Sequence, residues 1–298
     1  MRLRPLLTLA AVGGASLSSA RPAAAQISVT GTTVYTQNFD TLPTSASATF
    51  SQFDSGTPTL PGVFAVRSGT GTTVVANDGS SNAGNLYSYG TGTATDRALG
   101  TVGSGNAAAG RFAYGVVFQN TDTQALNVNV QYTGEQWRNS AAAAQTVSFS
   151  YTTQSTAPTA AGLATLIPTA NDTDPTGYTG VSALDFVSPI TGGTAGAVDG
   201  NAAANRTAFN ANVGVNLAPN DYLILFFSDP DHTGSDHGLA IDDLRIAFEP
   251  ATPVPEPGTV LGVSAAGLGL VRLGRRRKGG QGVTAAGGSL EPTSPEMC

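Results

Sequence analysis

The sequence predicts an all-β fold, a two-sheet antiparallel β-sandwich of jelly-roll type, carried by one stretch of about 220 residues. Three observations predict it. Apolar and polar residues alternate over short runs, one run is continuously apolar, and segments rich in Gly, Ser, Thr and Asn separate them. Alternation gives a strand with one buried and one wet face, and many such strands with few helical periods imply two packed sheets.

Taken in order, the chain opens with Arg2 and Arg4, then an apolar stretch from Leu6 to Val12 that fades into small residues. Ala23-Ala24-Ala25 fits the small-x-small cleavage pattern, which predicts a signal peptide over 1–25, export, and a mature chain from Gln26. The apolar run is too short for a membrane span of about 20 residues. The β-sandwich is expected over 26–250. Strand candidates are 28–39, 64–67, 72–76, 112–119, 183–187 and 214–217. The clearest alternations are Leu126-Asn-Val-Asn-Val-Gln-Tyr132 and Thr146-Val-Ser-Phe-Ser-Tyr151. Tyr222-Leu-Ile-Leu-Phe-Phe227 is apolar throughout, so it reads as a central strand covered on both faces. Residues 77–85 and 100–110 read as loops, and 155–180 as a long surface excursion. Residues 141–144 could form one helical turn.

The last strand segment, Ser228 to Phe248, holds five Asp and both histidines of the chain, His232 and His237. Its apolar residues keep two phases: Leu239 and Ile241 at odd positions, then Leu244, Ile246 and Phe248 at even ones. A strand alternates faces strictly, so one face holds both sets only if an extra residue intervenes, and the slip falls at Asp242-Asp243. A β-bulge there restores the phase and re-aims side chains. A carboxylate brought inward by it is costly unless paired or bound to a cation.

Three readings of this segment compete. Catalysis would use His232 or His237 with a nearby Asp, but no Gly-x-Ser-x-Gly or His-Glu-x-x-His element accompanies them, and Glu135 and Glu249 are the Glu residues of the domain. A calcium site would use hard oxygens from Asp40, Asp242 and Asp243 with loop carbonyls. Asp229, Asp231 and Asp236 lack the frame of an EF-hand. The third reading makes these Asp residues turn and cap formers bonded to backbone N–H groups.

Beyond the sandwich, Pro253, Pro255 and Pro257 break the last strand. A Pro-rich linker spans 251–258, an apolar segment and basic cluster 259–278, and an expected disordered tail 279–298. The apolar segment followed by Arg272, Arg275, Arg276, Arg277 and Lys278 is the pattern of a helix held in a membrane with its basic end in the cytoplasm. It is interrupted by Arg272 and is short.

Val254-Pro255-Glu256-Pro257, the apolar segment and the Arg cluster Arg275–Arg277 in that order resemble the PEP-CTERM sorting signal of exported bacterial proteins. The resemblance implies recognition by an exosortase, transient membrane anchoring, and release or transfer to the surface of a Gram-negative cell that makes extracellular polysaccharide. The twenty residues of 279–298 depart from that pattern. The Asp-rich segment, with the stretch around Asp40, resembles the first and last strands of concanavalin-like and MAM-like jelly rolls. It is also similar to a Ser-Asp-His-Gly-Leu-Ala-Ile-Asp-Asp ending that recurs in exported proteins with this sorting tail. That likeness implies that the first and last strands are neighbours.

Between Gln26 and Pro250 there are six Arg, no Lys and 17 acidic residues, a net of −11. Such a domain repels phosphate backbones, which excludes nucleic acid as an expected partner. The one cysteine, Cys298, is terminal, so the domain has neither a disulfide nor a thiolate site. These features together predict an exported, non-enzymatic surface or matrix protein, structural or adhesive in role. The alternative is a carbohydrate-binding module or a hydrolase on the same fold, with Tyr87, Tyr89 and Trp137 as the aromatic candidates, although core packing suits each of them better.

Overall fold

The computed structural model describes residues 26–50, 60–169 and 175–251. The expected signal peptide at 1–25, Val254–Pro257, the apolar segment, Arg275–Arg277 and the tail 279–298 lie outside the described residues.

The described chain is a sandwich of two sheets. The first sheet contains β1 (Ile27–Val29), β4 (Val63–Arg67), β8 (Phe112–Asn120), β10 (Thr146–Gln154), β11 (Thr179–Gly180), β12 (Phe186–Val187) and β15 (Tyr222–Asp229). The second contains β2 (Val34–Gln37), β3 (Ser47–Thr49), β5 (Thr73–Asn77), β6 (Asn85–Tyr89), β7 (Ala98–Val102), β9 (Leu126–Asn139), β13 (Gly196–Ala197), β14 (Arg206–Leu217) and β16 (Gly238–Pro250). Pairing is antiparallel except for β1 with β8 and β5 with β6.

Alternation decides the core. Val128, Val130 and Tyr132 of β9 meet Val147 and Phe149 of β10 and Leu223, Leu225 and Phe227 of β15 between the sheets. The even residues Ile224 and Phe226 of β15 point the other way and are covered by Leu163 and Leu166. Leu163 belongs to the short helix α1 (Ala160–Ala164), whose N-terminal N–H of Gly162 is accepted by Thr159 Oγ1. Residues 163–167 of the excursion and Tyr178 therefore cover the outer face of the first sheet, and the continuously apolar β15 is buried on both sides as its composition requires.

Several expectations need correction. The single strand expected at 28–39 is two, β1 and β2, in different sheets, with a Thr30–Thr33 turn between them. Residues 183–187 are a 3-10 turn, Ser182–Leu184, followed by two strand residues. Residues 141–144 form no helical turn, and Ala141 has φ +66°. β6 and β7 run into the stretches read as loops because their Gly and Ser content masks the strand pattern.

β2 lies antiparallel to β16, with Leu244 opposite Gln37. The ladder between β9 and β16 slips twice. Gly238 faces Arg138 and Leu239 faces Gln136, so Trp137 is the extra residue on β9. Asp242 faces Thr133 and Arg245 faces Gln131, so β16 carries an extra residue where the apolar phase changes. Leu239, Ile241, Leu244, Ile246 and Phe248 consequently all reach the core.

Candidate functional site

At the second bulge Asp243 adopts φ +50°, a left-handed conformation that Asp tolerates better than most residues. Its N–H donates to Asp242 Oδ1 at 2.7 Å. Asp243 is exposed, whereas Asp242 is 5% exposed. Burial pushes the Asp242 carboxyl up to about 9, and the charges of Glu135, Asp243 and Asp96 add to the shift. Glu135, opposite Ala240 in the ladder, is 2% exposed and pushed up to about 7, again mainly by burial. Its Oε2 accepts the indole N–H of Trp137 at 2.9 Å. Between the two bulges the ladder is regular, so Glu135 and Trp137 of β9 and Asp242 of β16 lie on the same outer face of the second sheet.

That end of the face is closed. Trp137 stacks on Tyr89 at 6.0 Å between ring centroids, and Tyr89 packs against Tyr87 at 5.1 Å. Gly200 approaches the indole so closely that a Cβ there would sit 2.3 Å from Nε1. All three aromatic residues are buried, so they are packing residues and present no ring to a ligand.

The expected cation ligands do not converge as a set of three. Asp40 is exposed on the loop after β2, where Oδ1 accepts the Arg97 N–H at 3.2 Å and Oδ2 accepts from Asn38 at 2.6 Å. The carboxylates that act on Asp242 are Asp243, beside it as expected, and Glu135 and Asp96 from distant parts of the chain. Among the described residues no group of three or more His, Cys, Asp or Glu side chains is arranged to hold a metal ion.

The histidine segment is wired into the backbone. His237 Nδ1 accepts the Ser140 N–H at 2.9 Å, which leaves the proton on Nε2, 3.2 Å from Ala143 O. Burial lowers its pKa, so the ring is neutral and pins the 140–145 loop. Asp236 accepts from Gln145 Nε2 and from the His232 N–H. Asp229, 3% exposed and pushed up to about 7 by burial, accepts a 2.6 Å bond from Thr101 Oγ1 that joins the two sheets. The bond from the His232 N–H to Asp236 is of the kind the turn-forming reading expects, whereas Asp229 and Gln145–Asp236 are held by side chains from distant elements.

The open part of the same outer face is different in chemistry. Asn127, Asn129 and Gln131 of β9, Asn212 of β14, and Arg245 and Glu249 of β16 line a shallow groove of about 750 Å³. The amides form a row: Asn129 Nδ2 donates to Asn210 and Asn212 Oδ1 at 3.0 and 2.9 Å, and Gln131 Nε2 donates to Asn129 Oδ1 at 3.0 Å. None of the expected site residues falls in this row. Its signal was present in Leu126–Tyr132, where every wet-face residue is an amide.

No protein-family model and no curated protein matches the chain. Among solved structures, the CBM22-1 xylan-binding domain from Paenibacillus barcinonensis Xyn10C is similar at 10% identity over 75% of this chain and 99% of that chain, with a TM-score of 0.30. At that score neither fold nor ligand is inferred from it. No helix among the described residues is long and apolar enough to cross a membrane.

Proposed function

We propose that the protein is an exported cell-surface or matrix protein whose amide-lined face binds a neutral extracellular polysaccharide without cleaving it. The amide row Gln131–Asn129–Asn210/Asn212 carries the reading. Asn129 donates both of its N–H groups within the row and orders it, the amides of Gln131, Asn210 and Asn212 are the groups that would bind sugar hydroxyls, and a β-sheet sets such groups at a repeat that an extended chain can follow. Arg245 and Glu249 balance one another in the groove, which suits an uncharged ligand better than a polyanion. The buried pair Glu135 and Asp242 offers no oxygen to a substrate in this conformation.

A glycan array followed by calorimetry tests it. N129A and Q131A should each weaken binding about fivefold, from roughly 1 kcal/mol for each net hydrogen bond lost. Absence of binding to every neutral polysaccharide tried, or binding indifferent to both variants, refutes it.

Delivery to the surface is part of the same proposal. The Val254–Pro257 motif and the Arg cluster support processing by an exosortase. E256A or deletion of 275–278 should leave a membrane-retained precursor. Mass spectrometry that finds the exported protein intact through Cys298 refutes the sorting step.

A further inference from the structure

The far edge of β14 carries no strand among the described residues. The remaining edges of the two sheets among the described residues are short: β1 and β3 have three residues each, β2 four, β4 five, and β11, β12 and β13 two. Shortness is one way a sheet avoids pairing with another chain. β14 has twelve residues; its ladder with β9 is irregular between Val213 and Leu217 and the 3-10 turn Ser182–Leu184 packs beside it, but the run before the irregularity is long and carries little charge. It contains no Lys and no Pro, and its one charge, Arg206, stands at its start. Pairing with β9 is regular from Arg206 to Val213, and residues 206–212 are exposed or half-buried.

We propose that β14 is a self-pairing edge, through which two copies of the chain join antiparallel into one continuous sheet. Three features select a second copy as the occupant. The domain is strongly acidic, yet this strand bears no acidic residue, so two copies meet here without opposing carboxylates. An isologous contact must match its own pattern, and a twofold axis at Asn210 keeps residues 207–213 of both copies within the regular register. In that register opposite side chains share a face and fit by size. Half-buried Phe209, stacked on Tyr132 at 4.6 Å, lies opposite the partner's Ala211, and Thr207 lies opposite the partner's Val213. On the outer face Asn210 meets its own copy, and the amide row runs on from one molecule into the next. Main-chain hydrogen bonds supply the attraction, as in strand addition generally.

The test is sedimentation velocity of the full chain from micromolar to about 100 µM. The wild type dimerises. N210K places like charges opposite each other at the axis and raises the dissociation constant at least about tenfold, and N210D does the same. Mixed in equal amounts, N210K and N210D dimerise again, which follows only if position 210 faces its own copy. On the wild type itself, amide exchange at 207–213 slows as concentration rises. A wild type monomeric throughout, a dimer unmoved by either variant, a mixture that stays monomeric, or exchange at 207–213 independent of concentration each overturns the proposal.

Discussion

Replacing Asp242 by Asn should make the protein more stable, and more so as the pH rises. The Asp242 carboxyl is held at about 9 by burial, whereas in the unfolded chain it ionises near 4. Between those values the folded protein holds a proton that the unfolded chain has released. Stability therefore falls as pH rises through that window, by about 1.4 kcal/mol per unit for one group. From pH 5 to pH 8 the loss from this residue is on the order of 4 kcal/mol, a large part of the stability of a typical domain. Glu135 and Asp229, both at about 7, add losses of the same sign over the lower part of the range. Asn keeps an acceptor for the Asp243 N–H and carries no charge, so the gap between D242N and wild type should widen by about 4 kcal/mol across the window. Urea denaturation at fixed pH values measures it. The single tryptophan, Trp137, is bonded to Glu135 and reports from the site. A wild-type stability that is flat or rising between pH 5 and pH 8, or a D242N protein less stable than wild type at pH 8, refutes the reasoning.

Thr101→Val should cost about 1–3 kcal/mol at pH 8, because the buried Asp229 loses its cross-sheet donor; denaturation curves at pH 5 and 8 should show the smaller loss at pH 5, where the carboxyl is protonated. Gly79→Ala should cost at least about 3 kcal/mol: Gly79 has φ +89°, and a Cβ there would meet Trp137 O at 1.8 Å, so a melting temperature unchanged within about 2 °C contradicts the packing described. Because the expected ligands do not converge, melting temperatures with calcium and with chelator should coincide at pH 6 and at pH 9; a calcium-specific rise at pH 9, where the Asp242 proton is more easily displaced, would restore the ion to the site.

The parts of the fold legible in the sequence were those where a side chain's period reports directly on burial. The alternations at 126–132 and 146–151 and the apolar run at 222–227 became β9, β10 and β15. The change of phase at Asp242-Asp243 became a bulge, and the expected neighbourhood of first and last strands became the β2–β16 pair. The start of β14 was missed because Arg206–Val213 alternates small residues and amides with one Phe, a pattern too weak in hydrophobicity to stand out. β7 was hidden by Gly100 and Gly103. The carboxylate neighbours of Asp242 could not be read locally, since Glu135 and Asp96 reach it from other elements through the sheet. The amide groove is likewise a product of three strands, of which the sequence displays one at a time.

The position of β16 has a mechanical consequence. The described chain leaves the domain at Ala251, directly from a strand paired with β9 on one side and with β2 and β7 on the other. A protein tethered at that end takes tension through an interior strand of thirteen residues, along its axis and across hydrogen bonds that lie perpendicular to the pull. Those bonds bear the load together, in shear, where an edge strand pulled sideways would open one bond at a time. Withdrawal of β16 would also drag Leu244, Ile246 and Phe248 out of the core past the bulge. A tether at the C-terminal end would thus load the sheet in shear, whereas one at the edge strand β14 would let it peel.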